Sequence, residues 1–259
     1  MTLPRIIPCL LLQKGRLVKT RCFENPIYVG DPINTVRIFN EKEVDELFLI
    51  DVSATAQARH PDFDLLSKIS REAFMPLGYG GGISNVQEIQ RLLSLGFEKV
   101  IINNAALNNL EIIRAAAERC GSQSVVVSID VKKDFWGRPR LYNHVKRKFN
   151  NRSPTAYAVQ AVEAGGGEIL LTSVDREGTM EGFDCESIRD VSKSISVPVV
   201  ASGGAGSLDH FGEAIRCGAS GVAAGSFFVF HGPHRAVLIT YPSRDEISQA
   251  LSSQREKST

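Results

Sequence analysis

Residues 78–84 read GYGGGIS and residues 201–207 read ASGGAGS, with Gly81, Gly82 and Ser84 falling 123 positions before Gly204, Ala205 and Ser207. The flanking segments recur as well: ELFLID (46–51) is echoed by EILLTSVD (168–175), and IIPCLLL (6–12) by VVVSIDV (125–131) at an offset of 119. Each copy holds four short runs rich in Val, Ile and Leu that read as buried strands. They are RIIPCLLL, ELFLID, MPLGY and KVIIN in the first half, and VVVSIDV, EILLTS, PVVAS and GVAAG in the second. Helical spacing lies between them, as in Val86, Ile89, Leu92 and Leu93, or Leu208, Phe211, Ala214 and Ile215. Strands alternating with helices in two similar halves of four predict a (βα)8 TIM barrel with a twofold half-barrel repeat. An open doubly wound sheet would not explain the repeat. The expected organisation is one domain over 1–259, with half-barrels of about 1–120 and 121–240 and a polar C-terminal tail of about 252–259.

Helix starts are marked by Asp31-Pro32 and Ser153-Pro154, a capping side chain before a proline suited to the first helical position, and by Ser84 and Ser207 after the glycine runs. In a barrel of this kind the loops after the strands gather on one face, where chemistry sits. Gly80, Gly81 and Gly82 would lie there, and so would Gly203, Gly204 and Gly206. Bare backbone N–H groups leading into a helix bind phosphate well. One such run could merely permit a tight turn, but two in register favour a pair of phosphate cups.

Asp130 ends the fifth strand and Asp175 lies just beyond the sixth, positions suited to a general acid or base. Either could instead cap the following turn, a reading that suits Asp51 better still. Leu11 is the counterpart of Ile129 or Asp130, so a symmetric acidic pair, if it ever existed, has lost one member. Lys19 reads as a phosphate or substrate contact on a mobile loop, or as a surface lysine. Residues 132–152, KKDFWGRPRLYNHVKRKFNNR, carry eight Lys or Arg against one Asp. Overhanging the active face, they could attract an anionic substrate or an acidic partner, although a solvated loop is the simpler reading. At the other end Arg5, Glu46, Lys99 and Glu168 open strands one, two, four and six. Strands often begin with charge because they begin at the surface. Pointing inward, these four would form a closed polar ring.

The composition, 43% hydrophobic and 23% charged with a net charge of +1, is that of an ordinary soluble protein and argues against nucleic acid as a partner. No apolar run reaches the roughly 18–20 residues that span a bilayer, and the N-terminus does not form a signal peptide, which points to the cytoplasm and no membrane partner. The five cysteines, never in a C-x-x-C pair, suggest neither a disulfide framework nor a zinc site and read as small core or surface residues. His231 and His234 have no acidic cluster nearby in sequence, and neither metal nor cofactor is expected.

Taken together, RIIPCL…GRLVK, FEN…GDP, GYGGGIS, KVIIN, GSQSVVVSID, GEILLTSVDREGT, ASGGAG and HFGEAI resemble HisF, the cyclase subunit of imidazole glycerol phosphate synthase, over roughly residues 4–230. The resemblance implies a β/α barrel that takes ammonia from a separate glutaminase, HisH, at its bottom face and passes it to a phosphorylated substrate at the top. Arg5, Glu46, Lys99 and Glu168 match the family's ammonia gate. Gly82, Asn103, Gly178, Gly204 and Ser226 match its phosphate-binding positions, with Asn104 where threonine is usual and Asp175 in the same substrate-binding set. Lys19 matches its active-site lysine and Asp130 one of two catalytic aspartates. Leu11 stands where the other belongs. That departure, with the ending GSFFVFHGPHRAVLITYP (225–242), resembles a HisF-like branch of surface-polysaccharide (lipopolysaccharide) synthesis. That branch implies a HisH-like glutaminase and a sugar amidotransferase as partners, with ammonia used to amidate an N-acetyl sugar precursor. Histidine-pathway cyclase activity, or a lyase using Asp130, is the alternative.

Overall fold

The computed structural model describes residues 4–256. Eight strands, β1 (Arg5–Gln13), β2 (Leu47–Asp51), β3 (Leu77–Gly80), β4 (Lys99–Ile102), β5 (Val125–Lys133), β6 (Glu168–Ser173), β7 (Val199–Ser202) and β8 (Gly221–Ala224), pair in sequence order, all parallel. The register Arg5↔Gly221 to Pro8↔Ala224 joins β8 back to β1, so no edge remains. All eight apolar runs of the sequence are barrel strands. They read as continuous apolar stretches because both faces are covered. With a side-chain period of two, Ile6, Leu10 and Leu12 face the helices, while Ile7, Cys9 and Leu11 face the axis with Phe48, Ile101, Val126, Leu170, Val200 and Ala223.

The helix starts follow the capping logic. Asp31 accepts from Asn34 N at 2.9 Å and Ser153 Oγ from Ala156 N at 3.1 Å, each with proline next in line. From β2 onward, however, the repeat runs at an offset of 122 rather than 123. Leu77–Gly80 corresponds to Val199–Ser202, and helix Val86–Ser94 is capped by Asn85, not Ser84, as helix Leu208–Arg216 is capped by Ser207. A run of three glycines can be aligned two ways, and the cap decides. The true pairs are Gly81 with Gly203 and Gly82 with Gly204, all at positive φ. At Gly81 and Gly203 an added Cβ would stand 2.3 Å from Asp51 O and 2.5 Å from Ser173 O, the ends of β2 and β6, so only glycine lets each turn fold onto its neighbouring strand.

Three features were not expected. A hairpin, Arg16–Arg21 with Glu24–Gly30, follows β1, and a second, Pro139–Asn143 with Lys148–Phe149, follows β5. The basic segment 132–152 is therefore largely strand and turn. Cys185 and Cys217 form a disulfide, correcting the reading of all five cysteines as unpaired, because the first residue of helix Cys185–Ser194 lies beside the C-cap of helix Leu208–Arg216. At the C-terminus, helix Arg244–Glu256 runs through residues 252–256, and residues 257–259 lie outside the described part.

Candidate functional site

At the N-terminal ends of the strands, four charged side chains close into a ring. Arg5 donates from Nη1 to Glu46 Oε2 at 2.5 Å and from Nη2 to Glu168 Oε2 at 2.6 Å. Lys99 Nζ lies 2.9 Å from Glu46 Oε1 and 3.1 Å from Glu168 Oε2. Each carboxylate thus meets both cations, as burial demands: the glutamate side chains are 3% and 6% exposed, and an unpaired charge there would be costly. Burial opposes the charge on Arg5, yet the two glutamates outweigh it and hold its pKa above the ordinary arginine value. The four residues point inward rather than merely opening strands at the surface. Phe48, with its ring centroid 6.0 Å from Lys99 Nζ, belongs to the apolar layer on the axis.

The opposite end opens into a cavity of about 250 Å³. Lys19, Gly82, Asn103, Asn104, Asp130, Gly178, Gly204 and Ser226 all line it, and so does Leu11. Asp175 is not among the lining residues. Its Oδ2 accepts from Lys133 N at 2.7 Å, so it ties β5 to the loop after β6. Asp51 takes the turn-capping role: its Oδ1 accepts from Ser53 N, Ser53 Oγ and Ala54 N at 2.8–2.9 Å. Within β5, Val126, Ser128 and Asp130 face the axis while Ile129 packs outward, so the inward Leu11 corresponds to Asp130.

Asp130, 4% exposed, accepts at Oδ2 from Asn103 Nδ2 (3.2 Å) and pairs through the same oxygen with His144 Nδ1 (3.0 Å). His144 was not singled out by sequence reasoning. The available signal was a lone histidine in the basic segment after β5. Lys19 is neither on a loop nor at the surface: it sits on the first hairpin strand, 3% exposed, and donates to Cys9 O at 2.6 Å. Burial lowers its pKa. Burial also pushes the neighbouring Cys9 thiol up to about 11, which leaves it a poor nucleophile. Glu177, likewise missed, pins the hairpin over the cavity, accepting from Thr20 Oγ1 at 2.9 Å and Phe23 N at 3.1 Å. Gly178 is required there, since an added Cβ would stand 2.2 Å from Thr20 O.

The two glycine turns are braced alike. Glu88, on the third residue of its helix, accepts from Ser84 N at 2.7 Å, and His210, 122 positions on, accepts at Nδ1 from Gly206 N at 3.2 Å. The short helices Asn104–Asn108 and Ser226–Val229, which follow β4 and β8, also begin 122 apart. At the first turn Gly82 N already donates to Thr55 Oγ1 at 3.1 Å. Among the described residues no group of three His, Cys, Asp or Glu is placed to hold a metal ion, and no helix is long and apolar enough to cross a membrane.

The fold and these two ends define a class: a twofold-repeated β/α barrel with a charged ring at one mouth and a polar cavity at the other. Residues 5–234 match the family described as histidine biosynthesis protein. The chain is 49% identical over 244 residues, 94% of its length and 97% of the relative's, to a Pseudomonas aeruginosa protein provisionally named imidazole glycerol phosphate synthase subunit hisF2. It is 42% identical over 249 residues, 95% and 96% of the two lengths, to a protein of Vibrio vulnificus provisionally named as subunit hisF3. To the imidazole glycerol phosphate synthase subunit HisF of Streptomyces coelicolor it is 39% identical over 226 residues, 87% and 90% of the two lengths. The chain belongs to the HisF-like histidine biosynthesis protein family.

Proposed function

We propose that this chain is the barrel subunit of a glutamine-dependent complex. A HisH-like glutaminase docks at the ring of Arg5, Glu46, Lys99 and Glu168, and ammonia enters the barrel there. It leaves at the top cavity for a sugar amidotransferase that amidates an N-acetyl sugar precursor. The observation that carries this reading is the four-residue ring, closed by ion pairs at the end of the barrel opposite the cavity. Ammonia made beside it would be protonated in bulk water, whereas the apolar layer of Ile7, Phe48, Val126, Leu170 and Val200 behind the ring favours the neutral molecule over ammonium.

The cavity supports a phosphorylated ligand held by the turns at Gly82 and Gly204 and the ends of β4 and β8. Closure of an imidazole ring in the histidine pathway would need positioned proton transfer, and Leu11 offers none. Asp130 remains, paired with His144, so any chemistry in the barrel itself runs on that pair.

Lys99 is the test. Removing it leaves each glutamate its Arg5 bond, so Lys99→Ala folds, while the entrance loses its movable member, a lysine on a long flexible stem. In the reconstituted complex the variant forms product from ammonium chloride as the parent does, but several-fold less from glutamine. Equal use of glutamine by variant and parent, or no association of the parent with the glutaminase, overturns the reading.

A further inference from the structure

The two halves of the cavity carry different cations. Lys19, from the hairpin after β1, is pressed against Gly225, where an added Cβ would stand 2.0 Å from Nζ. Asn103 occupies the equivalent place 122 residues earlier, with φ −115° against −114° at Gly225. Among the described residues no lysine is hydrogen-bonded to the Asn103 side chain. Its amide instead meets the Asp130 oxygen that also pairs with His144, which descends from the hairpin after β5. Beside it Asn143 Nδ2 donates to Asn104 Oδ1 at 3.1 Å, which ties that hairpin to the first cup.

We propose that His144 is the anion-binding cation of the first cup, the counterpart of Lys19 at the second, and that its Nε2 takes a phosphate-class dianion. This rests on the phosphate reading of the cavity and adds to it which side chain supplies charge at that end and when. Nδ1 is committed to Asp130, so the remaining ring donor is Nε2, on a residue that lines the cavity. When His144 is charged, the pair is neutral overall and presents a charge-assisted donor. When it is neutral, Asp130 alone leaves negative charge facing the cup, which repels a dianion.

The surroundings set the condition. Burial works against the imidazolium, but the hydrogen bond and charge of Asp130 outweigh it and raise the His144 pKa above its ordinary value. Phe23, edge-on to the His144 ring at 5.8 Å, brings no charge, and Glu177 behind it is engaged by Thr20 and the Phe23 N–H. Lys146 on the same hairpin turns away to Asn108 Oδ1 at 3.3 Å. Anion affinity therefore rises as pH falls through the His144 pKa.

Sulfate is the probe, because it stays a dianion across the range in which histidine titrates. Calorimetric titration of the full chain should show tighter sulfate binding at low than at high pH within that range. His144→Gln, which keeps a donor without the charge, should bind roughly tenfold more weakly at low pH and lose most of the pH dependence. Because His60 and His210 are retained in that variant, the difference isolates His144. Saturating sulfate should also raise the His144 titration midpoint read by NMR. Binding with the same pH profile in parent and variant, or a midpoint unmoved by sulfate, overturns the proposal while leaving the cups intact. No sulfate binding by the parent at any pH removes the phosphate reading itself.

Discussion

Leu11 sits in an apolar patch with Val18, its cross-strand partner, and with Ile50 and Val52. Its side chain faces the cavity from the side opposite in the repeat to Asp130, but it can neither take nor give a proton. A positioned general acid or base contributes roughly 10²–10⁴-fold in rate. Expression of this chain in a strain lacking the HisF cyclase is therefore expected not to restore growth without histidine, and the purified chain to show ammonia-dependent cyclase turnover depressed by about that factor. Growth at the rate given by an authentic cyclase would refute the assignment. Leu11 was legible because the strand-one motif is unmistakable and the substitution lies inside it. His144 was not: its meaning depends on Asp130, 14 residues away and reached only because a hairpin folds back over the mouth. Lys19 was singled out in the sequence but misplaced on a loop, since nothing local shows that Arg16–Arg21 pairs with both β1 and Glu24–Gly30.

Elements were readable in proportion to how much of their cause is local. The barrel strands announce themselves as apolar runs between helical patterns, and Asp31 and Ser153 mark helix starts through side chains three residues from the N–H they satisfy. The hairpins escaped because their strands are short and half exposed, and the first turns through Cys22 and Phe23 at positive φ rather than through a glycine. The Cys185–Cys217 link escaped for a similar reason: a separation of 32 residues carries no signal until two helices are packed side by side with opposite ends adjacent. Closing a loop of that length restricts the unfolded chain and contributes roughly 2–4 kcal/mol. Reduction, or Cys217→Ser, should thus lower the thermal midpoint. Thiol titration of the denatured, unreduced protein should count three cysteines, Cys9, Cys22 and Cys120, and all five after reduction. Five free thiols before reduction, or a midpoint indifferent to reductant, would show that the link does not form.

At the scale of the whole molecule, the barrel separates two environments along one axis. A net charge of +1 says little, because the charges that matter are arranged rather than summed. The ring at the bottom is neutral within itself, two cations against two carboxylates. The strand interiors above it are apolar, and polarity returns only at the cavity, where β5 carries Asp130 and the glycine turns begin. In the proposed reading this sequence of layers selects for a small uncharged molecule moving from ring to cavity, since ammonium would have to shed its hydration in the apolar stretch. The selection is open to an isotopic test in the reconstituted complex. With glutamine labelled with ¹⁵N at the amide and unlabelled ammonium in solution near neutral pH, held below the concentration that by itself supports product formation, the product nitrogen should remain predominantly ¹⁵N by mass spectrometry, because ammonia inside the barrel does not exchange with the bulk pool. Lys99→Ala should lower that retention, since the gap at the ring lets the two pools mix. A product whose label matches the bulk pool in the parent complex would mean that the nitrogen travels outside the barrel, and the layered interior would then be a packed core and nothing more.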